Sequence, residues 1–416
     1  MHVRFKAVFF SLALLVATAA RSGTFSLNWS TDKEPVSYRP GDAMTFRLQL
    51  IEDGKPAAGK TLKWVRSGDD GQTAKGEATT AEAQPVEIKT SSDKPGFVRI
   101  EVGVFNADGT ALKDGNNNPL KFEGGAGVNP STLEGAAEPA DFDAFWKAQK
   151  ARLAAVPLKA SLAEVASKNP DFQVYDVKVD CLGGKPVSGY LSVPKNAQAK
   201  SLPAQVSFLG YGVCGANQEF RGGALVFQIN AHGIENGREP EYYKALQDGV
   251  LKGYAFNGEE NAKPETAYFN GMMLRVMRAL EYVKSRPEWD GKTLIVSGGS
   301  QGGLQAINAA ALDANVTQCF AYKPWCGDLG GITFGRIRGW RPDYTDGLAY
   351  YDIVNQAKRI TCETFVNTGL GDYVCPPSSV SALYNNLRGP KTIEYIQGST
   401  HGYDPPNPVK QKISTK

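Results

Sequence analysis

A serine, an aspartate and a histidine, each in a glycine-bearing segment, are the residues of this sequence best suited to chemistry. Ser300 stands in Gly298-Gly299-Ser300-Gln301-Gly302-Gly303, a G-x-S-x-G pattern. A serine hydroxyl attacks a carbonyl at neutral pH when a base takes its proton and an acid orients that base. Histidine is scarce: His2, His232 and His401 are the only three. His401 lies in Gly398-Ser399-Thr400-His401-Gly402-Tyr403 and follows Ser300, whereas His232 precedes it. The acid candidate is Asp372 in Gly369-Leu370-Gly371-Asp372-Tyr373-Val374-Cys375-Pro376-Pro377. The order serine, acid, histidine is that of hydrolases built on a strand–turn–helix nucleophile, which favours Asp372 and His401. Asp346 and Asp352 stand as alternative acids, and His232 reads as a structural or substrate-lining residue, with the base role as its alternative. So few histidines, and no CxxC pair among the cysteines, argue against a zinc site.

These residues need a scaffold that places them on one edge. Apolar runs at Phe172–Val179, Val187–Val193, Ala204–Leu209, Ala224–Asn230, Thr293–Val296, Cys319–Tyr322, Thr364–Asn367 and Thr392–Ile396 read as strands. Helical stripes separate some of them, at Tyr268–Arg286 and from Leu304 onward, and Phe142, Phe145, Trp146, Gln149 and Leu153 share a helical face opened by Asp141 as N-cap. Strands alternating with helices predict a mostly parallel sheet covered on both faces. Ser300 then sits between a strand and a helix N-terminus, Asp372 and His401 follow later strands, and Leu209-Gly210-Tyr211-Gly212 follows an earlier one. The backbone N–H groups of Tyr211 and Gln301 are the expected oxyanion donors. Trp325, Trp340 and Tyr373, on loops, are candidates for stacking on substrate or for packing under those loops.

Upstream, the period is two. Met44, Phe46, Leu48 and Leu50 alternate with polar residues, as do Val98, Ile100, Val102 and Val104, with turn signals such as Arg39-Pro40-Gly41-Asp42 between. Residues 24–123 therefore read as an all-β, immunoglobulin-like sandwich. Residues 124–138, rich in glycine and alanine, read as a linker, and 139–416 as the catalytic domain. At the N-terminus, Arg4 and Lys6 precede an apolar run and Ala17-Thr18-Ala19, a signal-peptide pattern over residues 1–20 that predicts a secreted or periplasmic protein with no stable membrane anchor. The six cysteines are compatible with disulfides in such a compartment. A net charge of +3 on 416 residues argues against a nucleic-acid partner.

The Gly-Gly-Ser-Gln-Gly-Gly run, the segment around Asp372, the Gly210-Tyr211-Gly212 turn and Phe142-Asp143-Ala144-Phe145-Trp146 together resemble the acetyl xylan esterase/cephalosporin C deacetylase family, carbohydrate esterase family 7 of the α/β-hydrolases. The resemblance implies an α/β-hydrolase fold, Ser300 as nucleophile, Asp372 as acid, His401 as base, and Tyr211 and Gln301 amides at the oxyanion. It also implies acetylated oligo- or polysaccharide as substrate, no cofactor, and assembly into a homo-oligomer. Two departures stand out: His232-Gly233-Ile234 where the family usually has Arg-Gly-Gln, and Gly402 rather than glutamate after His401. Rival readings are a peptidase of prolyl oligopeptidase type, for which residues 24–123 are too short to form the usual propeller, and a non-catalytic carbohydrate-binding protein with a degenerate hydrolase domain.

Overall fold

A computed structural model of the chain describes residues 23–416; the expected leader at residues 1–20 lies outside them. Eight strands come first: β1 (Phe25–Thr31), β2 (Met44–Glu52), β3 (Lys55–Pro56), β4 (Thr61–Gly68), β5 (Ala74–Thr79), β6 (Val86–Thr90), β7 (Gly96–Phe105) and β8 (Lys121–Val128). They form two antiparallel four-stranded sheets, one of β1, β2, β3 and β6, the other in the order β5-β4-β7-β8. The alternating residues Phe46, Leu48 and Leu50 of one sheet and Ile100, Val102 and Val104 of the other bury into one shared core, as period-two strands with one inward face require.

The segment read as a linker begins instead as strand. Gly124 to Val128 belong to β8, paired along β7, and most of them are buried. Their glycines reflect close packing: a Cβ on Gly125 would lie 2.5 Å from the Val98 carbonyl oxygen and 2.7 Å from that of Leu370. The β module therefore runs through Val128 and abuts the second half of the chain directly.

That second half holds ten more strands: β9 (Ala160–Val165), β10 (Phe172–Val179), β11 (Val187–Pro194), β12 (Leu202–Phe208), β13 (Leu225–Ile229), β14 (Trp289–Gly299), β15 (Gln318–Tyr322), β16 (Glu363–Gly369), β17 (Lys391–Ile396) and β18 (Lys410–Thr415). Its helices are α1 (Phe142–Ala154), α2 (Pro240–Asp248), α3 (Gly258–Asn261), α4 (Tyr268–Lys284), α5 (Gln301–Leu312), α6 (Ile353–Ala357) and α7 (Pro377–Asn386). The strands form one sheet, β18-β17-β16-β15-β14-β12-β13-β11-β10-β9. From β13 to β17 all neighbours are parallel; β9, β10, β11 and β18 pair antiparallel at the flanks. The chain passes from β12 to β13 on one side and returns to β14 on the other, so the crevice above β12 and β14 is the point where the winding reverses, the usual ligand position in such sheets.

Coverage is less symmetric than the apolar runs suggest. Helices α1, α4, α5, α6 and α7 touch in succession and form one layer, beneath which Leu294, Val296, Cys319, Ala321 and Val366 are buried. Phe320 and Phe365, at the alternate positions, are half-buried. No helix joins β12 to β13 or follows β17, so the connections that could have covered that face run as loops. Asp141 opens α1 but does not cap it with its side chain; its carboxylate accepts a hydrogen bond from Tyr350 instead. All six cysteines are free thiols, Cys181, Cys319, Cys326 and Cys375 buried, Cys362 partly buried and Cys214 exposed.

The contact at Gly125 has a measurable consequence. Gly125→Ala, whose methyl meets backbone on both sides, is expected to cost about 1–3 kcal/mol by urea unfolding. Gly222→Ala, where a Cβ meets nothing, is the control and should leave the midpoint unchanged. Equal midpoints for the two would contradict the packing described.

Candidate active site

The turn between β14 and α5 is built by what its glycines lack. A Cβ on Gly302 would sit 2.2 Å from the Phe208 carbonyl oxygen, and one on Gly298 would sit 2.4 Å from the Gly302 carbonyl carbon. Only without those side chains can α5 start this close to β12. Ser300, between them, is forced to φ 55°, a backbone region costly for a residue with a Cβ. Its N–H donates to the Tyr322 carbonyl at 2.8 Å, and its own carbonyl accepts from Leu304 and Trp325, both at 3.0 Å. The hydroxyl stands at the first turn of α5, whose free N–H groups favour negative charge.

The other members arrive on neighbouring parallel strands, so their loops open on the same edge. Asp372 follows β16 and is buried. One carboxylate oxygen accepts from the N–H groups of Val374 at 2.8 Å and Cys375 at 2.9 Å; the other accepts from His401 Nδ1 at 2.9 Å. His401 follows β17, and its Nε2 lies 3.0 Å from Ser300 Oγ. A carboxylate can only accept, so Nδ1 carries the proton and Nε2 is free to take one from the serine hydroxyl. The structure brings these three side chains into a continuous hydrogen-bonded chain.

Asp372, Cys375 and His401 also bring possible metal-ligating atoms within 4.8 Å of one another. The donor set is a poor one. Burial raises the Cys375 thiol well above its usual range, and both imidazole nitrogens already face hydrogen-bond partners. Asp352 is not the acid: buried, it accepts from the N–H groups of Asp328, Leu329 and Val354 and caps α6.

The turn after β12 lies beside the serine, where a Cβ on Gly210 would come within 4.0 Å of Ser300 Cβ. Tyr211 stacks on Tyr254, ring centroids 4.3 Å apart, with Trp340 edge-on at 4.8 Å. The Tyr254 hydroxyl donates to the Gln301 side-chain carbonyl at 3.0 Å and accepts from the Gly212 N–H at 2.9 Å. One phenol thus ties together the two segments that hold the expected oxyanion amides.

His232 does not line the cavity. It is buried after β13, where Nε2 donates to the Gly212 carbonyl at 2.8 Å and Nδ1 accepts from the Tyr268 hydroxyl. Trp325 is buried too, packed on Trp340 and Phe269 with its indole N–H on the Trp340 carbonyl. Substrate reaches neither. Trp340 and Tyr373 remain exposed, at 43% and 55%. The cavity of about 350 Å³ at Ser300 and His401 is lined instead by Tyr322, Lys323, Asn367 and Asp404. Lys323 donates to the Thr400 carbonyl at 2.6 Å and to Asp404 at 2.9 Å, bracing the segment that bears His401.

A serine–histidine–aspartate chain with a buried acid, above the reversal point of a mostly parallel sheet, is the arrangement of the α/β-hydrolase class. The family described as acetyl xylan esterase (AXE1) matches residues 133–334 and 341–414, and the chain belongs to that family. Acetyl esterase Axe7A of Xylanibacter ruminicola is 29% identical over 373 residues, covering 85% of this chain and 82% of that protein. The acetyl xylan esterase of Paenibacillus sp. R4 superposes with a TM-score of 0.54 at 27% identity, covering 65% of this chain and 93% of that one. Acetyl xylan esterase 1 of Thermoanaerobacterium sp. JW/SL YS485, at 22% identity and a TM-score of 0.52, covers 65% and 92% and shares the fold. The family match begins after β8, so the β module lies outside it.

Burial lowers the His232 imidazole from 6.5 to about 4, so the folded protein keeps it neutral where the unfolded chain takes up a proton. That contribution to stability is complete above 6.5 and is lost as pH falls towards 4. The thermal midpoint of wild type should fall over that window, and His232→Gln, which retains an amide donor for Gly212, should show a shallower fall. Identical slopes in thermal melts would contradict the assignment.

Proposed function

We propose that this enzyme removes acetyl groups from acetylated carbohydrate, such as xylan, xylo-oligosaccharides or other acetylated sugars, through an acyl-enzyme on Ser300. The single observation behind the mechanism is the unbroken hydrogen-bonded chain from Ser300 through His401 to Asp372. His401 Nε2 takes the hydroxyl proton as Ser300 Oγ bonds to the acetyl carbon. The resulting oxyanion is held by the N–H groups of Gln301 and Tyr211. The oxyanion collapses, His401 returns the proton to the departing sugar oxygen, and the acetyl group is left on Ser300. Water, deprotonated by His401, then attacks the ester, and acetate leaves as the proton returns to Ser300. Asp372 holds the imidazole tautomer and stabilises its cationic form throughout.

A carbohydrate ester suits the surroundings. Lys323, Asn367 and Asp404 line the cavity with hydrogen-bond donors and acceptors, and Tyr322 is 44% exposed beside them. The cavity, about 350 Å³ and open to solvent, is large enough to admit an acetylated sugar. The acetyl preference is further supported by the relatives, named as acetyl or acetyl xylan esterases. We also assign an immunoglobulin-like character to the sandwich and an export role to residues 1–20, on the sequence patterns given above.

Acetate release from p-nitrophenyl acetate and from acetylated xylo-oligosaccharides tests this reading. Ser300→Ala should abolish both, and Asp372→Asn should lower kcat by about 10⁴-fold, the loss expected when the imidazole is held in the wrong tautomer. Full activity in the serine variant would overturn the mechanism. Hydrolysis of the aryl ester without release from any acetylated sugar would overturn the substrate class.

A further inference from the structure

The N-terminal sandwich lies outside the family match, yet its β7–β8 edge touches the segments that carry both the acid and the base. On β7, Arg99 is mostly buried, 12% of its side chain exposed, and its guanidinium is fixed by Glu123 of β8 at 2.6 Å. Its Nε donates to the carbonyl of Gly371, the residue before Asp372, at 3.1 Å. The same guanidinium lies 5.3 Å from the ring centroid of Tyr373, the residue after Asp372. One cation thus grips the chain on both sides of the acid.

The backbones are close enough to explain two glycines. A Cβ on Gly371 would lie 2.3 Å from the Glu123 carbonyl oxygen, and Gly125 meets the Leu370 carbonyl as described. On the base side, Gln397 follows β17 and pairs with Gly125 in both directions, accepting its N–H at 2.9 Å and donating to its carbonyl at 2.7 Å. The two segments are also joined directly, Gly371 N–H to the Ser399 carbonyl at 2.9 Å. Asp372 orients its own carboxylate through Val374 and Cys375, and its turn is held near the His401 segment both by that direct bond and by the sandwich edge.

We infer that the sandwich is a working part of the active site, with Arg99 as a positioning residue that holds the Asp372 turn against His401. A module that only spaced the domain or bound glycan would have no need of a buried, carboxylate-paired arginine on the carbonyl next to the acid. The inference rests on the triad reading above and concerns the alignment of the acid with the base.

The test uses the full chain, as Arg99→Met and Arg99→Lys, with Arg47→Ala as a control because the Arg47–Glu87 pair is exposed on the other sheet. Turnover of p-nitrophenyl acetate is normalised to competent sites, counted with a serine-reactive phosphonate. Arg99→Met should lower kcat per site about 10- to 100-fold, the scale expected for a misplacement near 1 Å. KM should change by less than about two-fold, because an interaction felt in the transition state and not in binding shows in kcat. Arg99→Lys should recover part of the loss, and Arg47→Ala should match wild type. A purely structural role would instead lower the thermal midpoint or the count of competent sites and leave turnover per site intact, which would overturn the inference. If Arg99→Met does not fold, Arg99→Lys decides by the same criterion, with unchanged kcat per site counting against. Normal Arg99 variants beside an inactive Ser300→Ala would sink this inference alone; an active Ser300→Ala would sink the triad reading.

Discussion

The approach of α5 to β12 is the constraint from which the rest follows. Gly302 lies so near the Phe208 carbonyl, and Gly298 so near Gly302, that any side chain at either position would force the helix away from the strand. That closeness leaves Ser300 at a positive φ, with its hydroxyl lifted out of the sheet at a helix N-terminus. It also puts the turn after β12 beside the serine, so that Tyr254 can bind both segments with one hydroxyl. The strain is local and is offset by packing around it: α5 is buried along almost its whole length.

The acid and the base depend on a different kind of support. Parallel strands β16 and β17 deliver Asp372 and His401 to the same edge, each on a short turn past its strand end. Three contacts restrain them: the bond between Gly371 and Ser399, the brace from Lys323 to Thr400 and Asp404, and the sandwich edge at Arg99 and Gly125. Preorganisation of this kind lowers the rearrangement needed during reaction. It also accounts for a β module that meets the rest of the chain through a glycine-rich strand.

Much of this was legible in the residues themselves. The strands of the parallel sheet announce themselves as apolar runs, and Ser300, Asp372 and His401 by glycine-bearing loops in the order the fold requires. What escaped did so for physical reasons. β9 and β18 are edge strands with mostly exposed residues, and neither shows a regular apolar alternation. Gly124 to Gly127 have the composition of a linker, and only the approach of Leu370 and Gln397 reveals why side chains are missing there. For His232 and Trp325, residue type and position after a strand leave packing and substrate contact both open, because burial depends on what packs over a loop, which spacing does not encode. Lys323 follows β15, Asn367 lies within β16 and Asp404 is on the loop after β17, so no local pattern joins them.

The central claim is that Ser300 becomes acylated. The enzyme should be quenched with acid during turnover of an acetyl ester, digested, and its peptides read by mass spectrometry. The account predicts an acetyl group on Ser300, absent when substrate is withheld. A modified residue elsewhere, with Ser300 bare in enzyme that is turning over and shown by rapid mixing to release its alcohol in a burst, would contradict it.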